Sequence, residues 1–525
     1  MPAIPASLLR LLPDRLNPAA DREPPSHFFT PEEIGRLHRA GADPDTALDD
    51  QTWHDLLLED WEERLAQGSS IFGRQMLHRR LRAGLGDADC TALTGRLRGL
   101  LDDPARLDAL TMALRPLRHA ETELAGLLFG DEALPQAPAW VRWLWALPLF
   151  LLLSLGLLIT QPLGWIATLA AVAPLMALQI RYHHRIEAWK NTLESLNALL
   201  AGSHALAQLG GPLLEAFVEA RMEATRLHKR LARPLLLRMI PGGDAYLNWF
   251  AAHNVSRYWK TIRIVEASRD FLRACYLQGA ELEADVTLAR HLRTRAHWCW
   301  AERSAPRTLV LADGIHPLMD GASPLTVGLD GQGAFVSGQN ASGKSTFLRM
   351  VGLNLVAARA FGFCYAREAR LPALPVRASM QNEDSLLGGE SLYMSELRRA
   401  RELLEGSRRT SGICLIDEVF RGTNHLESVS AAAAVLETLC ERDLVLVSSH
   451  NLVLARILAG KLEAFRIDTT SGAPALKPGV LREPNGIALL STQGFGARIE
   501  GRAAEVARWL SAHLAEPEPA AVNAA

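Results

Sequence analysis

The chain has 525 residues, 48% hydrophobic and 22% charged, the balance of a folded protein with room for about three or four domains. Lys+Arg 56 against Asp+Glu 58 leave a formal net charge of -2, which excludes a global positive field for nucleic acid, so any such contact must be local. Six cysteines (Cys90, Cys275, Cys299, Cys364, Cys414, Cys440) lie far apart with no C-x-x-C pair, which argues against a zinc ribbon or disulfide framework and for a reducing compartment.

In chain order, Met1 to Arg22 has Arg10 and Arg15 interrupting its leucines and no compact apolar core, so no signal peptide is expected. Pro31 to Leu128 carries amphipathic spacing with turn signals at Gly41-Ala42-Asp43-Pro44 and Gly84-Leu85-Gly86, which predicts helices. From Trp140 to Ile180 only Arg142 is charged, and the run divides at Thr160-Gln161-Pro162-Leu163-Gly164. Two helices of about 18 residues joined by a tight turn are predicted, each barely long enough to span a membrane. Flanking Arg142, Arg181, His183, His184 and Arg185, with Trp140, Trp143 and Trp145 near one end, favour a membrane hairpin whose two ends face the cytoplasm. A buried hairpin in a large soluble core is the alternative, because a helix apolar all round suits either setting.

His183 to Trp300 continues in helical style, with 16 Lys+Arg against 11 Asp+Glu; the excess gathers at Arg226, Lys229, Arg230, Arg233 and Arg238. Such a run suits a solvated helix face or a phosphate-contacting patch. From Arg307 short apolar runs alternate with Gly-rich turns and helical stretches, an α/β pattern. The tail from Glu516 is rich in Ala, Pro and Glu and reads as disordered.

The chemistry lies in this last region. Gly338-Gln339-Asn340-Ala341-Ser342-Gly343-Lys344-Ser345, followed by Thr346, fits G-x-x-x-x-G-K-[ST] at every fixed position. Gly333 to Ser337 reads as the preceding strand and Thr346 to Met350 as the opening helix, so backbone N–H groups and the helix dipole would point at phosphates. Lys344 would reach the β/γ-phosphates of ATP, and Ser345 would hold Mg2+. Ile413 to Glu418 is an apolar strand ending in two acids, Asp417 for Mg2+ and Glu418 to orient the attacking water. Leu444 to Val447 leads to Ser448-Ser449-His450, which puts His450 at a strand end where a γ-phosphate sensor would sit.

The surrounding residues narrow the choice. Asp417-Glu418-Val419-Phe420-Arg421-Gly422-Thr423-Asn424 resembles the D-E-x-x-R-G-T-[SN] stretch of the MutS family of DNA mismatch-repair ATPases. The loop Gly338 to Thr346 is similar to that family's G-P-N-x-x-G-K-S-T, and Ser391-Leu392-Tyr393-Met394-Ser395-Glu396-Leu397 to its S-x-F-x-x-E-[ML] signature loop. Ile315-His316-Pro317 resembles its H-P lead-in, and Leu48 to Leu56 with Gly73 to Leu77 and Leu81 the start of its helical lever. By this resemblance Ser391 and Ser395 complete a partner's ATP site. The family's mismatch-reading domain and connector have no room before residue 44, and the F-x-E triplet Phe217-Val218-Glu219, in a helical context, reads as coincidence.

The expected fold is multidomain: an all-α lever/core region plus an α/β P-loop NTPase domain of ABC type. Its parts are an N-terminal helical part (1–136), a hydrophobic hairpin (137–182), a helical lever (183–304), an ATPase domain (305–512) and a tail (513–525). The resemblance implies a homodimeric, DNA-binding, Mg2+-dependent ATPase whose hydrolysis drives a clamp-like movement. Residues 140–180 would anchor it to the cytoplasmic membrane. Two alternatives stand: a membrane-tethered engine acting on a protein or lipid without DNA, and a transport ATPase, for which Leu387-Gly388-Gly389-Glu390-Ser391 is only a partial echo of L-S-G-G-Q.

Overall fold

The computed structural model describes residues 27–41, 47–131, 133–161, 164–232, 243–339, 342–380, 392–469, 473–481 and 495–513. Asn340, Ala341, Leu387 to Ser391, Arg233, Arg238, Pro162, Leu163, the N-terminal stretch with Arg10 and Arg15, and the tail from 514 lie outside these residues. The chain divides into two units. The first joins Met1–Gly41, Gly68–Leu77 and Leu100–Ala289; the second joins Ala42–Gln67, His78–Gly99 and Arg290–Ala525.

Every described element of the first unit is a helix. Helix α1 (Ala146–Thr160) is followed by α2 (Gly164–Leu209), and a short α3 (Gly243–Ala251) packs on both. The break between α1 and α2 has a local cause. Gln161 is extended at φ -134 and ψ 127, the conformation forced on a residue before proline, here Pro162. At the start of α2 a Cβ on Gly164 would lie 2.6 Å from Leu158 Cα, so only glycine permits the tight reversal. Helix α2 then runs for 46 residues, well beyond the apolar arm of about 18 residues expected. No Gly or Pro occurs between Arg181 and Ala201, so nothing stops it at the charged flank.

The apolar arms are not core. Ile159 is 87% exposed and Ile180 71%, with Leu152, Leu153, Trp165, Ile166 and Leu169 also exposed. Only 17% of the most apolar stretch of α2 is buried, so this arm is not packed as a core helix by the described residues. The buried polar side chain near the end of this stretch is satisfied: Gln179 Nε2 donates to Asn254 Oδ1 at 3.1 Å, and Asn254 Nδ2 donates back to Gln179 Oε1 at 2.7 Å. Beyond it Tyr182 is buried against Trp140, Tyr258 and Trp259, with ring centroids 6.0 to 6.1 Å away.

The helix Glu215–Leu231 buries Phe217, Ala224, Leu227 and Leu231 and exposes Arg226, Lys229 and Arg230. Its basic residues therefore form the polar side of an amphipathic helix, and Phe217 is core. A buried carboxylate stabilises the same unit elsewhere: Glu283 accepts from Ser70 N at 2.8 Å and Gly73 N at 3.0 Å. Burial raises its pKa, and these bonds oppose the rise.

The second unit is built on a six-stranded sheet: β1 (Gly333–Gly338), β2 (Val376–Ser379), β3 (Ile413–Asp417), β4 (Leu444–Ser448), β5 (Leu462–Asp468) and β6 (Ala475–Pro478). The order is β6-β5-β1-β4-β3-β2, parallel except for the β5–β6 pair. Burial on both faces explains the unbroken apolar runs of β1, β3 and β4. Helices α4 (Lys344–Phe361), α5 (Leu392–Arg409) and α6 (His425–Cys440) complete the α/β layer. Fifteen of the eighteen residues of α4 are buried, so it is a core helix. A four-stranded sheet adds Thr308–Gly314, paired antiparallel with Leu325–Asp330 and Glu368–Leu371.

Residues placed by sequence in the N-terminal helical part return to this unit. Thr52 Oγ1 accepts from Ala378 N at 2.9 Å and Asp55 Oδ2 from Met380 N at 2.8 Å, so the helix Asp50–Asp55 finishes the open edge of β2. Arg399 on α5 secures it, reaching Asp49 Oδ1 and Thr52 Oγ1, each at 3.1 Å.

Candidate functional site

In a parallel sheet the carboxyl ends of all strands open on one edge, and ligands gather where the chain leaves neighbouring strands in different directions. Here β1 ends at Gly338, β3 at Asp417 and β4 at Ser448, with Ser448 paired in register to Asp417. The chain leaves β1 through the Gly338–Gly343 loop into α4, whose first residue is Lys344. Gly343 takes φ 91, which a side chain would resist.

Lys344 is buried, and its Nζ donates to Gly338 O at 3.2 Å and Gln339 O at 3.1 Å. Burial holds its pKa below the ordinary lysine value; the carboxylates of Glu418 and Asp417 act in the opposite sense. Ser345 Oγ donates to Asp417 Oδ2, and Ser448 Oγ to Asp417 Oδ1. Ser342 Oγ is buried and makes no hydrogen bond among the described residues. Thr346 follows at half-buried depth and lines a cleft of about 470 Å3 with Leu57, Asp60, Arg64, His316, Met319 and Arg349. Within it His316 is 5% exposed and its pKa falls to about 4, through burial first and then Arg349 and Arg64.

Beyond β3 the backbone turns sharply. Glu418 takes φ 54 and Phe420 φ 55, left-handed values that cost a non-glycine residue about 1–3 kcal/mol. Glu418 N donates to Ser448 O at 2.9 Å, which anchors the turn to β4. The Glu418 carboxylate has two side-chain partners: His450 Nε2 lies 2.5 Å from Oε1, and Arg421 Nη1 3.3 Å from Oε2. Thus Lys344, Ser345, Asp417, Glu418 and His450 share one strand edge. Ser395, in the first turn of α5, donates its hydroxyl to Leu392 O at 2.8 Å.

Two contributors escape sequence reasoning. Ser448 was only part of the lead to His450, although its hydroxyl holds Asp417. Glu396 sat within a quoted motif without a role. It is buried and accepts from Arg421 N at 3.0 Å and Gly422 N at 3.1 Å.

The donor set fits the implied metal. Asp417 and Ser345 offer hard oxygens of the kind Mg2+ takes, usually with water and phosphate completing its shell. No group of three His, Cys, Asp or Glu side chains suited to a metal ion occurs among the described residues.

Fold and site together define a multidomain protein with a helical unit and an α/β unit carrying a strand–glycine loop–helix element beside paired acids. Residues 334–495 match the family model for MutS domain V. The chain is 29% identical over 249 residues to the DNA mismatch repair protein MSH3 of Phaeosphaeria nodorum, a match covering 45% of this chain and 22% of that relative. It is 29% identical over 206 residues to the DNA mismatch repair protein MutS of Thermus aquaticus (37% of this chain, 25% of that one) and 32% over 197 residues to that of Thermus thermophilus (36% and 23%). The chain is thus similar to MutS domain V and to part of the mismatch repair proteins MutS and MSH3. It matches a quarter or less of the length of these relatives.

Proposed function

We propose that the protein is a Mg2+-dependent, MutS-type ATPase whose second unit binds and hydrolyses ATP and whose nucleotide state controls a clamp-like hold on DNA. The observation that carries this is the meeting of Ser345, Asp417, Glu418 and His450 at one strand edge. Bound Mg2+ would be held by Ser345 and Asp417 and would offset phosphate charge. Lys344 is poised to exchange its two loop carbonyls for phosphate oxygens, and Ser342 Oγ supplies a further donor. Glu418, oriented by His450 and Arg421, would position water at the γ-phosphate. The face away from the Gly338–Gly343 loop needs closing. A second copy of the chain, through Ser391 and Ser395, is the proposed source, giving a homodimer with two composite sites.

DNA binding rests on the relatives' names and the family. Affinity of full-length protein for duplex DNA, measured with and without ATP across a salt series, tests it. A steep negative slope of log K against log salt that changes with nucleotide supports the clamp; no measurable affinity at low salt removes DNA.

A second reading concerns location. Helix α2 is long and apolar enough to cross a membrane, while α1 has 15 residues. With their exposed faces, the satisfied Gln179, and Trp249 and Phe250 exposed on adjoining α3, they favour a lipid environment. We place the ATPase on the cytoplasmic side of the membrane, anchored by residues 140–180.

A further inference from the structure

The turn after β3 is attached to α5 more closely than hydrolysis alone would need. A Cβ on Gly422 would lie 2.5 Å from Tyr393 N and 2.9 Å from Tyr393 Cα, so the turn and the first turn of α5 meet backbone to backbone. Both oxygens of Glu396 are used there, one on Arg421 N and the other on Gly422 N. The rings of Tyr393 and Phe420 meet edge to face at 6.1 Å. Glu396 is only 4% exposed, so water cannot readily replace either bond.

These contacts bind a strained segment. Glu418 and Phe420 both hold left-handed backbone conformations, and such residues persist only where their surroundings over-determine them. One side is held by β4 through the Glu418 N to Ser448 O bond; the other is held by Glu396. A shift of α5 would pull on Arg421 and Gly422, three and four residues beyond Glu418, and re-aim its carboxylate.

We infer that Glu396 is a positioning residue that makes the aim of Glu418 depend on the position of α5. Resting on the composite-site reading above, this adds a direction of control. Ser395 shares the first turn of α5 with Tyr393 and Glu396, so a partner's nucleotide that engages this turn sets hydrolysis in the chain that owns it.

The test uses full-length protein with Mg-ATP. Turnover per chain is measured against protein concentration, alongside affinity for a fluorescent ATP analogue and sedimentation. In wild type, turnover per chain rises as dimers form. Glu396→Gln keeps the size of the side chain but turns an N–H2 toward a backbone N–H. It should cut kcat at least tenfold with KM and analogue affinity within twofold, and its turnover should stay flat with concentration although ATP still drives dimerisation. Gly422→Ala, which pushes the turn from Tyr393, should do the same and decides the matter if the first variant fails to fold. Wild-type kcat and concentration dependence in a folded variant would overturn the inference, as would parallel loss of affinity and kcat. Wild type without Mg-dependent turnover would instead remove the hydrolysis reading itself and this inference with it.

Discussion

His450 Nε2 lies 2.5 Å from Glu418 Oε1 across the ends of two neighbouring parallel strands, although 31 residues separate the pair's strand partners Asp417 and Ser448. The imidazole is half exposed and restrains the carboxylate; under the proposed function it would also sense the γ-phosphate. His450→Ala should therefore lower kcat about 10- to 100-fold with little change in nucleotide affinity. Steady-state phosphate release with nucleotide titration checks this; equal losses in both would make His450 a binding residue.

Trans completion predicts rescue by mixing. Lys344→Ala chains and Ser391→Ala/Ser395→Ala chains should each be inactive alone. Their heterodimer should regain one intact site, built from the second chain's Lys344 and the first chain's serines. Demonstrated subunit exchange without recovered turnover would count against it.

Stability should depend on pH through two histidines, one buried and one half-buried. His316 and His291 have pKa values lowered to about 4, chiefly by burial. Both are neutral when folded, whereas an unfolded histidine takes up a proton below about 6.5. The unfolded chain thus binds more protons between those values, so this stability is present above pH 6.5 and lost as pH falls toward 4. For His316 the effect is on the order of 3 kcal/mol. Thermal unfolding from pH 7.5 to 4.5 should show Tm falling, with a shallower fall in His316→Gln.

Arg399→Ala should loosen the edge of the sheet. The guanidinium joins Asp49, Thr52 and Ala378 O, so its loss removes a donor from each of these acceptors at the seam between the Asp50–Asp55 helix and β2. About 2 kcal/mol of stability should go, with hydrogen exchange rising first at Ala378 and Met380. Unchanged exchange there would show that the helix stays docked by packing alone.

The membrane reading predicts that full-length protein stays with membranes through a carbonate wash and that deletion of Trp140 to Ile180 releases it. Monodisperse full-length protein without detergent would contradict it.

Much of the site was legible in the sequence because its chemistry is local. Gly338 to Ser345 and Ile413 to Glu418 each carry their own strand signal and spacing, and the structure brings Ser345 onto Asp417. What escaped is non-local. No periodicity can tell that Glu396 receives amides 25 and 26 residues further on, or that Thr52 and Asp55 receive those of Ala378 and Met380. Nor can periodicity show that residues 42–67 and 78–99 join the second unit through contacts distant in sequence. Helix α2 outruns the expected apolar arm because charge changes a helix's solvent without ending it.

The most direct test of the central claim is phosphate release from Mg-ATP by full-length wild type and Glu418→Gln, with ATP affinity measured on the same samples. Glu418 is assigned to water and Asp417 with Ser345 to Mg2+, so the variant should bind ATP within about threefold of wild type and turn it over at least about 100-fold more slowly. Lys344→Ala, by contrast, should lose affinity. Equal turnover in wild type and Glu418→Gln, or no Mg-dependent turnover in wild type, would contradict the account.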